Sequence, residues 1–86
     1  MRQRAEWMKP ADDAILEYVS DAGEVPPAVV ARNTDMHRNY AGERCRELTS
    51  YGLLEKREGG YYRLSDLGAA YLNEELDATT LEGNDG

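Results

Sequence analysis

The chain has 86 residues, enough for one small core but not for two. Its formal net charge is -7, and a single cysteine leaves no disulfide framework within the chain. No apolar run approaches membrane-spanning length and MRQRAEW lacks the core of a signal peptide, so a cytoplasmic protein in a reducing interior is expected.

The charge is unevenly distributed. From Glu74 to the C-terminus there are five acids and no base, whereas residues 32 to 63 hold seven bases against five acids. The middle of the chain is therefore locally positive inside an acidic protein, which keeps nucleic acid among the expected partners. Lysine is scarce, two against eight arginines. An acidic, Lys-poor composition is expected of a protein kept soluble in concentrated salt, and also fits an ordinary acidic protein.

In chain order, residues 1–9 carry Arg2, Arg4 and Lys9 beside Trp7 and Met8, and read as a frayed terminus or as a short arm or interface strand. Pro10 opens a helix where its missing N–H does no harm, with Asp12 and Asp13 at the positive end. Ala11, Ile15, Tyr18, Val19 and Ala22 form its apolar stripe, and Gly23 stops it. Glu24 and Val25 are extended ahead of Pro26-Pro27, which restarts the chain as a short helix over 27–32 with Val30 and Ala31 inward. Asn33, Thr34 and Asp35 make a tight polar turn, with Asp35 or a neighbour placed to cap the next helix.

That next helix, Met36 to Tyr51, organises the rest. Ala41, Cys45 and Leu48 recur at i, i+4 and i+7 and line one side. Arg38, Asn39, Gly42, Glu43 and Arg46 fall on the other, with donors concentrated at the N-terminal end. Arg can donate a fork of hydrogen bonds to guanine and Asn can pair bidentately with adenine, so this face suits a groove of DNA. Arg44 and Glu47 read either as a solvated helix face or as DNA contacts.

Gly52 ends the long helix. Two strands, 53–58 and 61–64, are joined by Gly59-Gly60 as a two-residue hairpin loop. Leu54, Tyr62 and Leu64 should face the core, leaving Arg57 and Arg63 toward solvent or phosphate. Ser65 and Asp66 cap a last helix running to Leu76. It carries two apolar stripes: Leu67, Ala70 and Tyr71 seat it on the domain, and Ala69, Leu72 and Leu76 are left over. With Trp7, that second set is expected to form a homodimer interface, or else Trp7 folds back onto the last helix. Residues 77–86 are acidic and Gly-rich and read as a disordered tail, which leaves 10–76 as the folded domain.

His37 has no second ligand at metal spacing, and Cys45 lies on the apolar stripe as a core residue. No catalytic motif or gathered carboxylates suggest an enzyme, and no cofactor or small-molecule ligand is implied.

The order helix, short strand, helix, turn, long helix, hairpin, helix describes an α+β, mostly α chain. It resembles a winged helix-turn-helix transcriptional regulator, carried by RNYAGERCRELTSYGLLEKREGGYYRLSDLGAAYL over residues 38–72. NYAGERCREL, with the acidic composition, is similar to the phi-H repressor-like proteins of halophilic archaea. The resemblance implies sequence-specific binding of double-stranded DNA and repression. The helix 36–51 would lie in the major groove and the 56–63 hairpin would touch the backbone. It places Arg38, Asn39, Tyr40, Gly42, Glu43 and Arg46 at positions that face DNA. Glu43 stands where many relatives carry a base, and reads a cytosine amine or pairs with Arg46. The rival expectation is a winged helix that packs against a protein partner.

Overall fold

The computed structural model describes residues 5–75. Its elements are α1 (Pro10–Ala22), β1 (Glu24–Val25), α2 (Pro27–Thr34), α3 (Arg38–Ser50), β2 (Leu54–Lys56), β3 (Tyr62–Leu64) and α4 (Asp66–Leu72). The expected order of elements stands. Leu76 and the acidic tail lie outside the described residues, as do Arg2 and Arg4.

The strands form one antiparallel sheet in the order β1-β3-β2. Val25 pairs with Tyr62 and Lys56 pairs with Tyr62 from the other side, so β3 is central. Ile15, Leu16, Val19, Val30, Ala41, Cys45, Leu48, Leu53 and Tyr71 are fully or almost fully buried between the helices and the sheet. Cys45 is a core residue, as its place on the stripe of α3 predicts.

Several local expectations are corrected. The buried face of α1 is Asp12, Ile15, Leu16 and Val19, while Ala22 is exposed. Leu16 offers far more apolar surface than the alanines, and the helix turns to bury it. Asn33 and Thr34 belong to α2, where their side chains donate to the carbonyls of Val29 and Val30 one turn back. Asp35 ends α2 rather than capping α3: it is left-handed at φ 58° and its N–H donates to Ala31 O. Asp is among the few non-glycine residues that tolerate this conformation. His37 stands at the N-cap of α3 and makes no side-chain cap bond.

The hairpin is longer than its two glycines suggest. Lys56 opposes Tyr62, so residues 57–61 form the loop, with Glu58–Gly60 in a 3-10 turn. Arg57 N donates to Tyr61 O at 2.6 Å and closes the loop. Gly59 and Gly60 both adopt positive φ, which a side chain would resist.

Ser65 caps α4 as expected, its Oγ accepting from Gly68 N at 2.9 Å. The faces of that helix are not the expected ones. Gly68 and Tyr71 are buried, Leu72 packs partly against the core, and Leu67 is 44% exposed. Gly68 sets this rotation, because its missing side chain lets the helix meet the carbonyl of Leu53 and the side chain of Leu64 directly. Tyr71 then reaches α1, its hydroxyl donating to Asp13 Oδ1 at 2.6 Å.

Residues 5–9 are part of the domain. Ala5 and Met8 are buried in the common core. The Trp7 ring lies face to face on Tyr51, with centroids 3.8 Å apart and planes 7° from parallel. That aromatic face, expected at a partner or at the last helix, is covered by the C-terminal end of α3.

Candidate nucleic-acid interface

α3 is held from below by Ala41, Cys45 and Leu48, all fully buried, and packs chiefly against α2. The 3.6-residue repeat then forces Arg38, Asn39, Tyr40, Glu43 and Arg46 outward, and all five are exposed. Tyr40 is 38% exposed, at the edge of the face. No side chain caps the first turn of α3, so its positive helix end is open where Arg38 and Asn39 project.

The start of α2, the outer face of α3 and the tip of the hairpin enclose a groove of about 460 Å³. Pro26, Pro27 and Ala28 form one wall, and Gly59 and Gly60 the opposite one. Arg38, Asn39, Glu43 and Arg46 line it from α3, with Gly42 on its floor. Gly42 is buried, and a methyl added there would meet Arg46 Nη1 at 3.4 Å. The structure thus gathers five of the six α3 candidates into one surface, with Tyr40 outside the groove.

The seven basic residues of the middle segment divide into two groups. Arg32, Arg38, Arg46 and Lys56 are exposed and have no acidic partner among the described residues. The other three are paired. Arg44 points inward: Nε donates to Asp12 Oδ1 at 2.8 Å and Nη2 to Asp12 Oδ2 at 2.7 Å. Nη2 also donates to Trp7 O at 3.1 Å. The bond to Asp12 raises the Arg44 pKa against the opposing effect of burial. Arg44 is therefore neither solvated face nor DNA contact, and it ties α3 to α1 and to the N-terminal segment.

Arg57 and Arg63 are exposed, as the strand alternation predicts, but each is engaged. Arg57 Nε lies 3.2 Å from Glu24 Oε1, and Arg63 Nε lies 2.7 Å from Glu55 Oε1. Glu43 and Arg46 make no such pair with each other among the described residues. Two residues that the sequence reading placed outside the site thus shape it. One is Asp12, which seats α3; the other is Glu24, which holds a hairpin arginine.

A three-helix core, a helix-turn-helix formed by α2 and α3, and a small sheet with a wing define a winged-helix domain. Residues 1–84 match the winged helix-turn-helix phage repressor family, and the chain belongs to that family. It is 40% identical to a repressor protein of Halobacterium phage phiH, over 95% of this chain and 98% of that one. It is also similar to the crystal structure of the PhiH1 repressor-like protein from Haloarcula marismortui. That match has a TM-score of 0.88 and 30% identity, and covers 96% of this chain and 97% of the other.

Proposed function

We propose that the protein is a sequence-specific DNA-binding repressor that reads the major groove with the outer face of α3. The observation that carries this reading is the groove in which Arg38, Asn39 and Arg46 project together, both arginines lacking an acidic partner among the described residues. Arg and Asn are the side chains that pair bidentately with guanine and adenine. Glu43 lies among them as the acceptor suited to a cytosine amine, and Tyr40 flanks the set. Across the groove the hairpin approaches the backbone, where Arg57 and Arg63 contact phosphate. Family membership supports repression, and a reader of genomic DNA works in the cytoplasm of a prokaryotic cell.

The rival reading, a winged helix that binds protein instead, draws on the net charge of -7. Of the four middle-segment cations without an acidic partner among the described residues, Arg38 and Arg46 line the groove on α3, where a duplex would lie, and that favours DNA.

One helix of 13 residues reads only a short site. We therefore propose that two copies act as a homodimer on a palindromic operator, with half-sites about 10 bp apart or a multiple. Leu67 of α4, 44% exposed and on the other stripe from Ala69 and Leu72, supports an apolar contact on that helix. Light scattering of wild type and Leu67→Glu in molar KCl tests it. A dimeric wild type made monomeric by the substitution is expected, and a monomeric wild type at tens of micromolar contradicts it.

A mobility-shift assay in potassium chloride with fragments flanking the protein's own gene tests the DNA reading. A discrete complex that survives excess competitor DNA is expected. No retardation, or equal loss of every fragment to competitor, overturns it.

A further inference from the structure

The outer face of the sheet carries a ladder of alternating charge. Arg63 stands on the central strand, with Glu24 opposite it on β1 and Glu55 opposite it on β2. Directly opposed residues of an antiparallel pair have their Cβ atoms about 4.5–5.5 Å apart, so Arg63 sits between two carboxylates. Glu55 holds Arg63 at 2.7 Å and Glu24 holds Arg57 at 3.2 Å. Glu55, Arg63 and Glu24 form one row across the strands, Arg57 of the hairpin loop reaches Glu24 from beside that row, and the four formal charges sum to zero. All four side chains are between 44% and 49% exposed, so these pairs stand at the surface, open to exchange.

Exposed pairs of this kind are weak and readily exchanged. A phosphate that approaches the hairpin must displace a carboxylate to gain either arginine, and the displaced carboxylate then lies beside the phosphate. The groove arginines Arg38 and Arg46 carry no such tether among the described residues. Backbone contact by Arg57 and Arg63 is thus penalised on every duplex alike, while base contact by Arg38 and Arg46 is not.

Resting on the DNA-binding reading above, we propose that Glu24 and Glu55 are specificity-determining residues. They compete with phosphate for Arg57 and Arg63 and so suppress binding to duplexes that α3 does not recognise. This assigns a function to two acidic residues that would otherwise only oppose DNA binding. It also gives the domain a means of rejecting random sequence in spite of its hairpin arginines.

The test measures affinity for a labelled random-sequence duplex by fluorescence anisotropy across a potassium chloride series, on the full chain. Glu24→Gln and Glu55→Gln should each tighten that affinity by roughly two- to five-fold, the range an exposed pair supports. Each should also steepen the salt dependence by about one phosphate contact. The decisive variants repeat each substitution without the paired arginine, as Glu24→Gln with Arg57→Gln and Glu55→Gln with Arg63→Gln. If the carboxylates act by holding the arginines, the gain disappears in these pairs. A gain of the same size without the arginine would show plain charge repulsion and overturn the proposal. So would duplex binding by wild type that neither glutamine variant alters. No binding of the random-sequence duplex by wild type or by either variant would also overturn it, whereas the DNA-binding reading itself falls only to the mobility-shift result above. Circular dichroism confirms that each variant is folded, and the exposure of these side chains leaves the core untouched.

Discussion

Asp12 and Arg44 lie 32 residues apart and meet as a two-pronged ion pair, with the Asp12 side chain fully buried and that of Arg44 14% exposed. Asp12 Oδ2 also accepts from Lys9 N at 2.9 Å, so one carboxylate closes the start of α1 and fixes the middle of α3. The orientation of the candidate reading face therefore depends on a contact on its far side.

Removing one member of such a pair leaves an uncompensated buried charge, which costs about 3–5 kcal/mol. Asp12→Ala is expected to lose that much in chemical denaturation, a large share of the stability of a domain this small. Arg44→Met should lose a similar amount. Asp12→Leu combined with Arg44→Met should recover much of it, because the two charges are removed together. A double variant no more stable than the worse single one would contradict this account.

Both partners of this pair occupy positions that the helical repeat marks. Asp12 shares a face with Ile15, Leu16 and Val19, and Arg44 with Ala41, Cys45 and Leu48. An acid on one apolar stripe and a base on another are a legible sign of a buried pair, although sequence alone leaves unsaid that the two helices meet. Features decided by neighbours in the chain were readable: the stripe of α3, the stop at Gly52 with φ 85°, the cap at Ser65. Those decided by distant packing were not. The face of α4 depends on how near Gly68 comes to Leu53 and Leu64, and the state of Arg57 depends on a strand 33 residues earlier. The groove itself was legible on α3 and illegible in its walls, since Pro26 and Gly60 meet it only through the sheet.

Gly68→Ala should destabilise the protein even though alanine is the better helix former by about 1 kcal/mol. The added Cβ would press on the carbonyl of Leu53 and lie 2.6 Å from Leu64 Cδ1, and a backbone atom cannot swing aside. Overpacking of this kind costs roughly 1–3 kcal/mol and should outweigh the propensity gain. Thermal unfolding reads the difference, and a raised midpoint would contradict the close approach.

Gly42→Ala should do the opposite to stability. Its Cβ meets only the flexible end of Arg46 at 3.4 Å, so the variant should gain about 0.5–1 kcal/mol from the helix. The methyl also fills the floor of the groove and moves Arg46. A higher melting midpoint together with weaker operator binding is expected. Unchanged binding would show that the duplex does not approach this point of α3.

The Cys45 thiol is pushed up by burial from an ordinary 9.0 to about 11. Its neutral form is thus favoured in the folded state, and between about pH 9 and 11 the unfolded chain ionises first. Stability should fall across that window by at most 1.36 kcal/mol per pH unit from this group. Tyr62, raised in the same direction by burial, adds to the loss. Denaturation at both ends of the window should show a smaller decline for Cys45→Ala than for wild type. Equal declines would contradict the assignment to Cys45.

Selection of bound duplexes from a random-sequence pool, repeated with Arg38→Ala and Asn39→Ala, tests base reading by α3 most directly. Wild type should enrich one consensus, and each variant should lose preference at a single base pair, with about 1–3 kcal/mol less discrimination there. An identical consensus from both variants, or no enrichment by wild type, would contradict the claim that this helix reads the sequence.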